Sequence, residues 1–484
     1  MSGRRLEWSA SGGDLIWLGL AAIYLGFRIS AAVQLPVAGA ELSTLAGAWQ
    51  ESLGLSDGRY EGTLLQTISS PLLALESEAW LPRLVVLGVS GIVPLSLWLV
   101  RRELGEPAAL AFLALVAVDP AAILMGSTGA GAAFDTSVSL AVLAASLRGV
   151  RNPLIWGLLG VFAASGGAGP VILLASAAAL ALMRGDPLDR RLVAGCAIGA
   201  ALGVTFVSLV APEGSLRVPP FRLVDAGLTE EWAGAGALQL AALYELPIVL
   251  GGTAAAAHIA ARLAAGSRTG RSERLLLVWA AGAALLWLAA GSARDPSLVL
   301  ALTLPLCGLL AAGLARLPAA IASEPRLPRR RAAALALVVL LAAGTAVQLS
   351  GAFAVARGAH NESLISPWES ASARSLREHV LRLAADSPGG IVVHPDLRAA
   401  VVWPFRESAT LTVSSTVPRG DAVVVWPREA LPPQGYEDSG GIWFLTRTVA
   451  PPGGSPGDVI HWFRQRNRIE TSGTAVRVYT GSTP

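Results

Sequence analysis

The chain has 484 residues, 53% of them hydrophobic and 15% charged, with a mean hydropathy of +0.56. That balance excludes a water-soluble fold for the bulk of the molecule. The net charge is only +3, and no basic stripe interleaves with aromatic residues, which argues against nucleic-acid binding.

The first apolar run, near 14–34, follows Arg4 and Arg5 without a small-residue cleavage site. It reads as a retained membrane span. Further runs long enough to cross about 30 Å of hydrocarbon, or to pair as tight hairpins, lie near 82–100, 107–120, 133–148, 153–166, 169–184, 191–211, 239–262, 275–291, 297–315 and 332–351. The expectation is therefore an α-helical polytopic membrane protein with about eleven transmembrane helices. All 37 basic residues are arginine. Most of those within the apolar region fall in alternate connections, such as Arg101-Arg102, Arg148 with Arg151, and Arg326 to Arg331. The positive-inside rule places these connections and the N-terminus in the cytoplasm of a cell inner (plasma) membrane. Loop 35–81, loop 212–238 and the C-terminal region then lie outside.

Loop 35–81 interrupts the apolar pattern with Glu41, Glu51, Asp57, Arg59, Tyr60, Glu61, Glu76 and Glu78. Helical spacing of Leu42, Leu45, Ala46, Trp49 and Leu53 predicts one helix, and 62–75 predicts a second. Both read as helices lying at the membrane surface, joined by the turn Ser56-Asp57-Gly58. Glu41 is a candidate general base at a helix start. Asp57, Arg59, Tyr60 and Glu61 form a polar cluster that could bind phosphate through Arg59 and assist catalysis, or hold a metal, through a carboxylate.

Asp119-Pro120 reads as a helix-ending turn. Asp135 opens the fourth span after the glycine-rich run 126–131, as a helix cap or a catalytic acid. Tyr244-Glu245 lies in an apolar setting where a carboxylate is costly, which marks a functional position. Arg294, in the turn 291–296, is a candidate lipid-phosphate contact. Cys196 and Cys307 lie in apolar runs as core residues, and the five histidines do not cluster. No zinc spacing, nucleophile elbow or phosphate-cradling loop is present.

After Arg357 the pattern changes. Short β-rich runs at 391–393, 423–425, 442–445 and 476–479 alternate with helical stretches near 369–385 and 458–466. This predicts a transmembrane domain over 1–357 and a small extracytoplasmic α/β domain over 358–484.

Taken in order, Ala-Glu41-Leu, Tyr60-Glu61-Gly62-Thr63-Leu64-Leu65, Leu81-Pro82-Arg83-Leu84, Arg101-Arg102-Glu103-Leu104-Gly105, Phe134-Asp135, Leu243-Tyr244-Glu245-Leu246-Pro247 and the 291–298 turn carry a resemblance. The chain resembles the GT-C membrane glycosyltransferases, in the protein-mannosyltransferase-like or "flippase activity-associated" branch. It departs from their pattern at Ala40, where the family has the first acid of an Asp-Glu pair. Further departures are Glu61 and Thr63 for His and Pro, Ser127-Thr128 for Ser-Arg, and Ala293-Arg294 for Glu-Lys. The resemblance implies an inverting transfer of a sugar from a polyprenyl-phosphate lipid to an extracytoplasmic glycan or protein acceptor. In that reading Glu41, Asp57 and Asp135 are catalytic candidates. Arg59, Tyr60, Glu61, Tyr244, Glu245 and Arg294 are substrate-binding candidates. No cofactor is assigned, and a divalent cation, Mg or Mn, is the one candidate. The lost residues keep a second expectation open: a non-catalytic GT-C scaffold serving as a subunit of a membrane or envelope complex. A transporter ranks last, because no internal repeat is visible.

Overall fold

The computed structural model describes the chain apart from residues 1–11, 53–63, most of 185–239, 291–295, 324–343, 358–367, most of 398–410, most of 450–470, 482–484 and scattered single positions. The described part is a helical bundle carrying a small C-terminal sheet domain.

The helices of the first half are α1 (Gly12–Gln34), α2 (Ala40–Ser52), α3 (Leu64–Leu75), α4 (Trp80–Ser90), α5 (Ile92–Leu99), α6 (Arg101–Leu104), α7 (Glu106–Ala117), α8 (Pro120–Met125), α9 (Asp135–Arg148), α10 (Pro153–Ser165) and α11 (Ala168–Arg184). After a largely undescribed stretch follow α12 (Leu246–Ala264), α13 (Arg271–Ala290), α14 (Pro296–Ser323) and α15 (Gly344–Ala356).

Among the described residues, five stretches are long and apolar enough to cross a membrane: 12–34, 80–99, 246–264, 271–289 and 298–316. The expected spans at 107–120, 153–166 and 169–184 form shorter apolar helices. Those at 191–211 and in the first part of 332–351 lie largely outside the described residues. The chain is a multi-pass membrane protein. Leu15, Leu18, Leu158, Leu250 and Leu288 are exposed on the bundle's outer surface, as the apolar solvent of a bilayer requires.

α14 runs through the middle of the bundle, against α7, α12 and α13. Its segment Leu298–Ala301 is almost fully buried, as is nearly every residue of α9. Small residues permit the close crossings. A Cβ added at Gly252 of α12 would stand 2.6 Å from Leu306 Cβ, so the two helices meet there nearly backbone to backbone. α9 ends at Gly149, whose φ of 62° is the left-handed conformation glycine adopts without strain. The Val150 N–H then bonds back to the Ala145 carbonyl at 3.0 Å, closing a Schellman turn.

The two ends of the bundle differ. At one end Arg101 pairs with Asp14 at 3.1 Å, Arg148 with Glu103 at 3.4 Å, and Arg316 with Glu273. The other end carries α2, α3 and the C-terminal domain, and is called the loop end below.

The C-terminal domain forms β1 (Trp368–Glu369), helix α16 (Ala371–Ala385), then β2 (Ile391–Val393), β3 (Leu411–Val413), β4 (Val423–Pro427), β5 (Tyr436–Asp438), β6 (Trp443–Phe444), β7 (Thr446–Val449), β8 (Thr471–Ser472) and β9 (Ala475–Gly481). The main sheet runs β3-β2-β4-β9-β5, with β6 also on β9. β2 pairs in parallel with β3 and β4, and β9 is antiparallel to its neighbours. β1, β7 and β8 form a separate antiparallel sheet. Val423 and Val425 face a core shared with Leu376 and Val380 of α16, while Val424 and Trp426 face a second core with Tyr479. Both faces of β4 are thus covered, and its run Val-Val-Val-Trp is apolar without alternation. All four β-rich runs expected from the sequence form strands, and α16 matches the helix expected at 369–385. The helix expected at 458–466 lies outside the described residues.

Candidate functional site

At the loop end, the corner between α1 and α2 is held by one side chain. Arg83 sits in the first turn of α4 and is 6% exposed. Its Nη1 donates to the carbonyls of Ala32 and Leu35 at 2.7 and 2.9 Å, at the C-terminus of α1, where a cation offsets the helix dipole. Its Nε donates to Glu41 Oε1 at 2.7 Å, and its Nη2 to Glu41 Oε2 at 2.7 Å. This is the two-pronged geometry that suits guanidinium to carboxylate. Glu41 lies in the first turn of α2 and is 0% exposed. Its Oε1 also accepts the Gly129 N–H at 2.7 Å. A Cβ at Gly129 would stand 3.2 Å from that oxygen, so the glycine run lets the backbone approach the carboxylate. Both oxygens of Glu41 are therefore engaged.

A second buried polar group lies around the start of α8. Asp119 caps this helix, accepting the Ala122 N–H at 2.7 Å. The sequence reading of Asp119-Pro120 as the end of the preceding helix thus describes half of the junction. Thr303 of α14 donates to the other oxygen at 3.4 Å. Glu245 lies beside this cap, and both carboxyl groups are 0% exposed. Gln348 of α15 donates to Glu245 Oε2 at 3.1 Å, and the Ala121 N–H approaches Glu245 Oε1 at 3.5 Å. Arg28 of α1 completes the group. It stacks on Tyr24 with its guanidinium carbon 3.5 Å from the ring centroid, and donates to the carbonyls of Tyr24 and Val116 at 3.0 and 3.2 Å. Val116 lies in the last turn of α7, so Arg28 does for α7 what Arg83 does for α1.

Segment 119–129 links the two groups. It begins at Asp119, its Gly126 carbonyl accepts from Ser90 Oγ at 3.0 Å, and it ends on Glu41 through Gly129. Glu41 and Glu245 are therefore tied to opposite ends of one short piece of backbone.

Asp135 is buried elsewhere in the fold. Its Oδ1 accepts from Ser139 at 3.3 Å, and a Cβ at Gly169 would come within 2.6 Å of the same oxygen. The carboxylate faces the first turn of α11, where the helix dipole favours a negative charge. Tyr244 is buried against the backbone path of α15, with its Cδ1 3.3 Å from a Cβ placed at Gly351. Asp57, Arg59, Tyr60, Glu61 and Arg294 lie outside the described residues. Among the described residues, no group of three or more His, Cys, Asp and Glu side chains could hold a metal ion. Arg28 was not singled out in the sequence, although a lone arginine within a first apolar span is a recognisable signal.

The two helices expected in loop 35–81 are α2 and α3. Both form close to the expected positions, and Thr44 to Ala48 are all buried. α3 covers one side of α2, where Gly47 leaves room for Gln66. The C-terminal domain covers another, where Leu45, Ala46, Ala48 and Leu73 cluster with Trp403, Leu411 and Val413.

No family model matches the chain, and no curated protein matches it by sequence. Its fold is nevertheless found among solved structures. ArnT from Cupriavidus metallidurans bound to undecaprenyl phosphate superposes with a TM-score of 0.56 at 16% identity, covering 98% of this chain and 100% of that one. The apo state of the same protein gives 0.53 at 18% identity. The oligosaccharyltransferase AglB from Archaeoglobus fulgidus, in complex with an inhibitory peptide and a dolichol-phosphate, gives 0.53 at 12% identity. That match covers 83% of this chain and 64% of AglB. At these identities the likeness establishes the fold, which is that of the GT-C glycosyltransferases.

Proposed function

We propose that this protein is a membrane glycosyltransferase that takes a sugar from a polyprenyl-phosphate carrier and passes it to an acceptor at the loop end of the bundle. The observation that carries this reading is the end-to-end likeness to a structure holding undecaprenyl phosphate, across both the bundle and the C-terminal domain. In the reaction, an acceptor oxygen attacks C1 of the sugar while the C1–O bond to phosphate breaks. The anomeric centre inverts, and polyprenyl phosphate leaves with the electron pair. The acceptor proton passes to a carboxylate. Positive charge that develops on the ring favours a nearby negative group.

Both oxygens of Glu41 already accept hydrogen bonds and the side chain is 0% exposed, so it does not face an open site as a base would. We therefore assign Glu41 a positioning role, and give the base to the Asp57–Glu61 segment of the same loop. Arg59 and Arg294 are the proposed phosphate contacts, because Arg28 and Arg83, the arginines buried in the bundle among the described residues, are committed to backbone carbonyls and to Glu41. Tyr244, Glu245 and Asp135 support the surrounding helices. The acceptor is a glycan or protein outside the membrane.

The test is transfer from labelled polyprenyl-phosphate sugars by protein in lipid nanodiscs. Asp57→Asn or Glu61→Gln should cut the rate by about 10²–10⁴-fold, the range for removal of a general base. Undiminished rates in both variants, or no binding of undecaprenyl phosphate by the intact protein, would overturn the assignment. A second reading, a scaffold subunit without transfer, is favoured by the engagement of Glu41 and by alanine at position 40. It predicts lipid binding without turnover, and co-purification with membrane-complex subunits.

A further inference from the structure

We infer that the C-terminal domain is a clamp on the first loop, and that Trp403 is a positioning residue through which it fixes α2 and hence Glu41. The inference about catalysis rests on the reading above, whereas the clamp itself does not.

Three observations lead to it. First, the start of α2 is held by polar contacts, through Glu41, Arg83 and Gly129. These fix the first turn and leave the direction of the remaining turns to be set by packing. Second, the packing that sets it comes partly from far along the chain. Trp403 is 3% exposed and shares one apolar cluster with Leu45, Ala46 and Ala48 of α2 and Leu73 of α3. Leu411 and Val413 join the same cluster from β3, which is the edge strand of the main sheet. Third, the linkage between bundle and domain is itself tied down. α15, the last helix before the domain, packs on α1 through Phe27 and Phe353, with ring centroids 5.1 Å apart, and Ser30 Oγ donates to the Ala356 carbonyl at 2.8 Å. The domain is thus anchored beside the α1–α2 corner that Arg83 holds. A large aromatic buried between two bodies supplies contact area at little cost in side-chain entropy, which suits Trp403 to this role.

The experiment is hydrogen exchange on the full-length protein in nanodiscs, comparing Trp403→Ala, Trp403→Phe and, from the loop side, Leu73→Ala. The expected result is exchange faster by about tenfold across residues 43–50 in Trp403→Ala and Leu73→Ala, with 298–311 and 423–427 unchanged and Trp403→Phe close to the parent. If Trp403→Ala also raises exchange at 423–427, the domain has been damaged and Leu73→Ala decides. Unchanged exchange at 43–50 in Leu73→Ala, or in a Trp403→Ala protein with an intact domain, overturns the clamp. Where transfer is measurable, kcat should fall in Trp403→Ala, recover in Trp403→Phe, and leave the KM for the lipid donor unmoved. A clamp seen by exchange with no transfer in the parent protein would sink the enzyme reading and leave the clamp standing.

Discussion

Arg83 holds Glu41 at two points, Nε to Oε1 and Nη2 to Oε2, each at 2.7 Å, across 42 residues of sequence and away from solvent. The same guanidinium reaches the C-terminal carbonyls of α1. One cation therefore joins the end of the first span, the start of the loop helix and the second span.

Removing one partner of that pair leaves a buried charge without its counter-ion. Glu41→Gln and Arg83→Met should each destabilise the protein by about 3–5 kcal/mol. The combined variant should lose much less than the sum, because neither charge is then stranded. Thermal melting in detergent, read as a double-mutant cycle, measures this. Additive losses would mean that the pair contributes no coupling.

The Asp119–Glu245 contact makes a different prediction, because an amide can donate where a carboxylate cannot. Glu245→Gln should stay within about 1 kcal/mol of the parent, since its amide oxygen can still accept from Gln348 and its NH2 can donate to the neighbouring Asp119. Glu245→Ala should cost about 1–3 kcal/mol, by stripping Gln348 and the Ala121 N–H of a buried partner. The order Gln above Ala in melting temperature is the check.

Asp119 is also the N-cap of α8. Asp119→Asn should retain most of the cap, whereas Asp119→Ala should lose about 0.5–2 kcal/mol from the cap alone. Faster exchange confined to residues 121–126 in Asp119→Ala, and absent from Asp119→Asn, would identify the cap as the cause.

The crossing of α12 and α14 depends on the missing side chain at Gly252. Gly252→Ala places a methyl 2.6 Å from Leu306 Cβ and 2.8 Å from the Leu306 carbonyl oxygen, with no flexible end to give way. The helices must separate, at about 1–3 kcal/mol. Leu306→Ala keeps the clashing Cβ and backbone and should therefore give no rescue, and melting of the pair tests it.

The sequence by itself determined that this is a membrane bundle followed by a small sheet domain. Apolar run length and the change from helical to strand patterning are local properties, and α1, α13, α14, α16, β2 and β4 form close to where the pattern puts them. The order of short motifs was enough to reach the GT-C fold, which the solved structures share. The surroundings of the acidic residues were decided only by tertiary structure. Glu41 read as a base because a carboxylate at a helix start looks free in sequence, yet packing sets Arg83 and the Gly129 N–H against it. Asp119 read as a turn, yet it meets Glu245 and Thr303 from two other helices. α2 read as an amphipathic helix in a loop, and only the fold set Trp403, far along the chain, against it. What a carboxylate does depends on which charges and donors face it, and in a bundle those neighbours arrive from distant segments that no local pattern encodes.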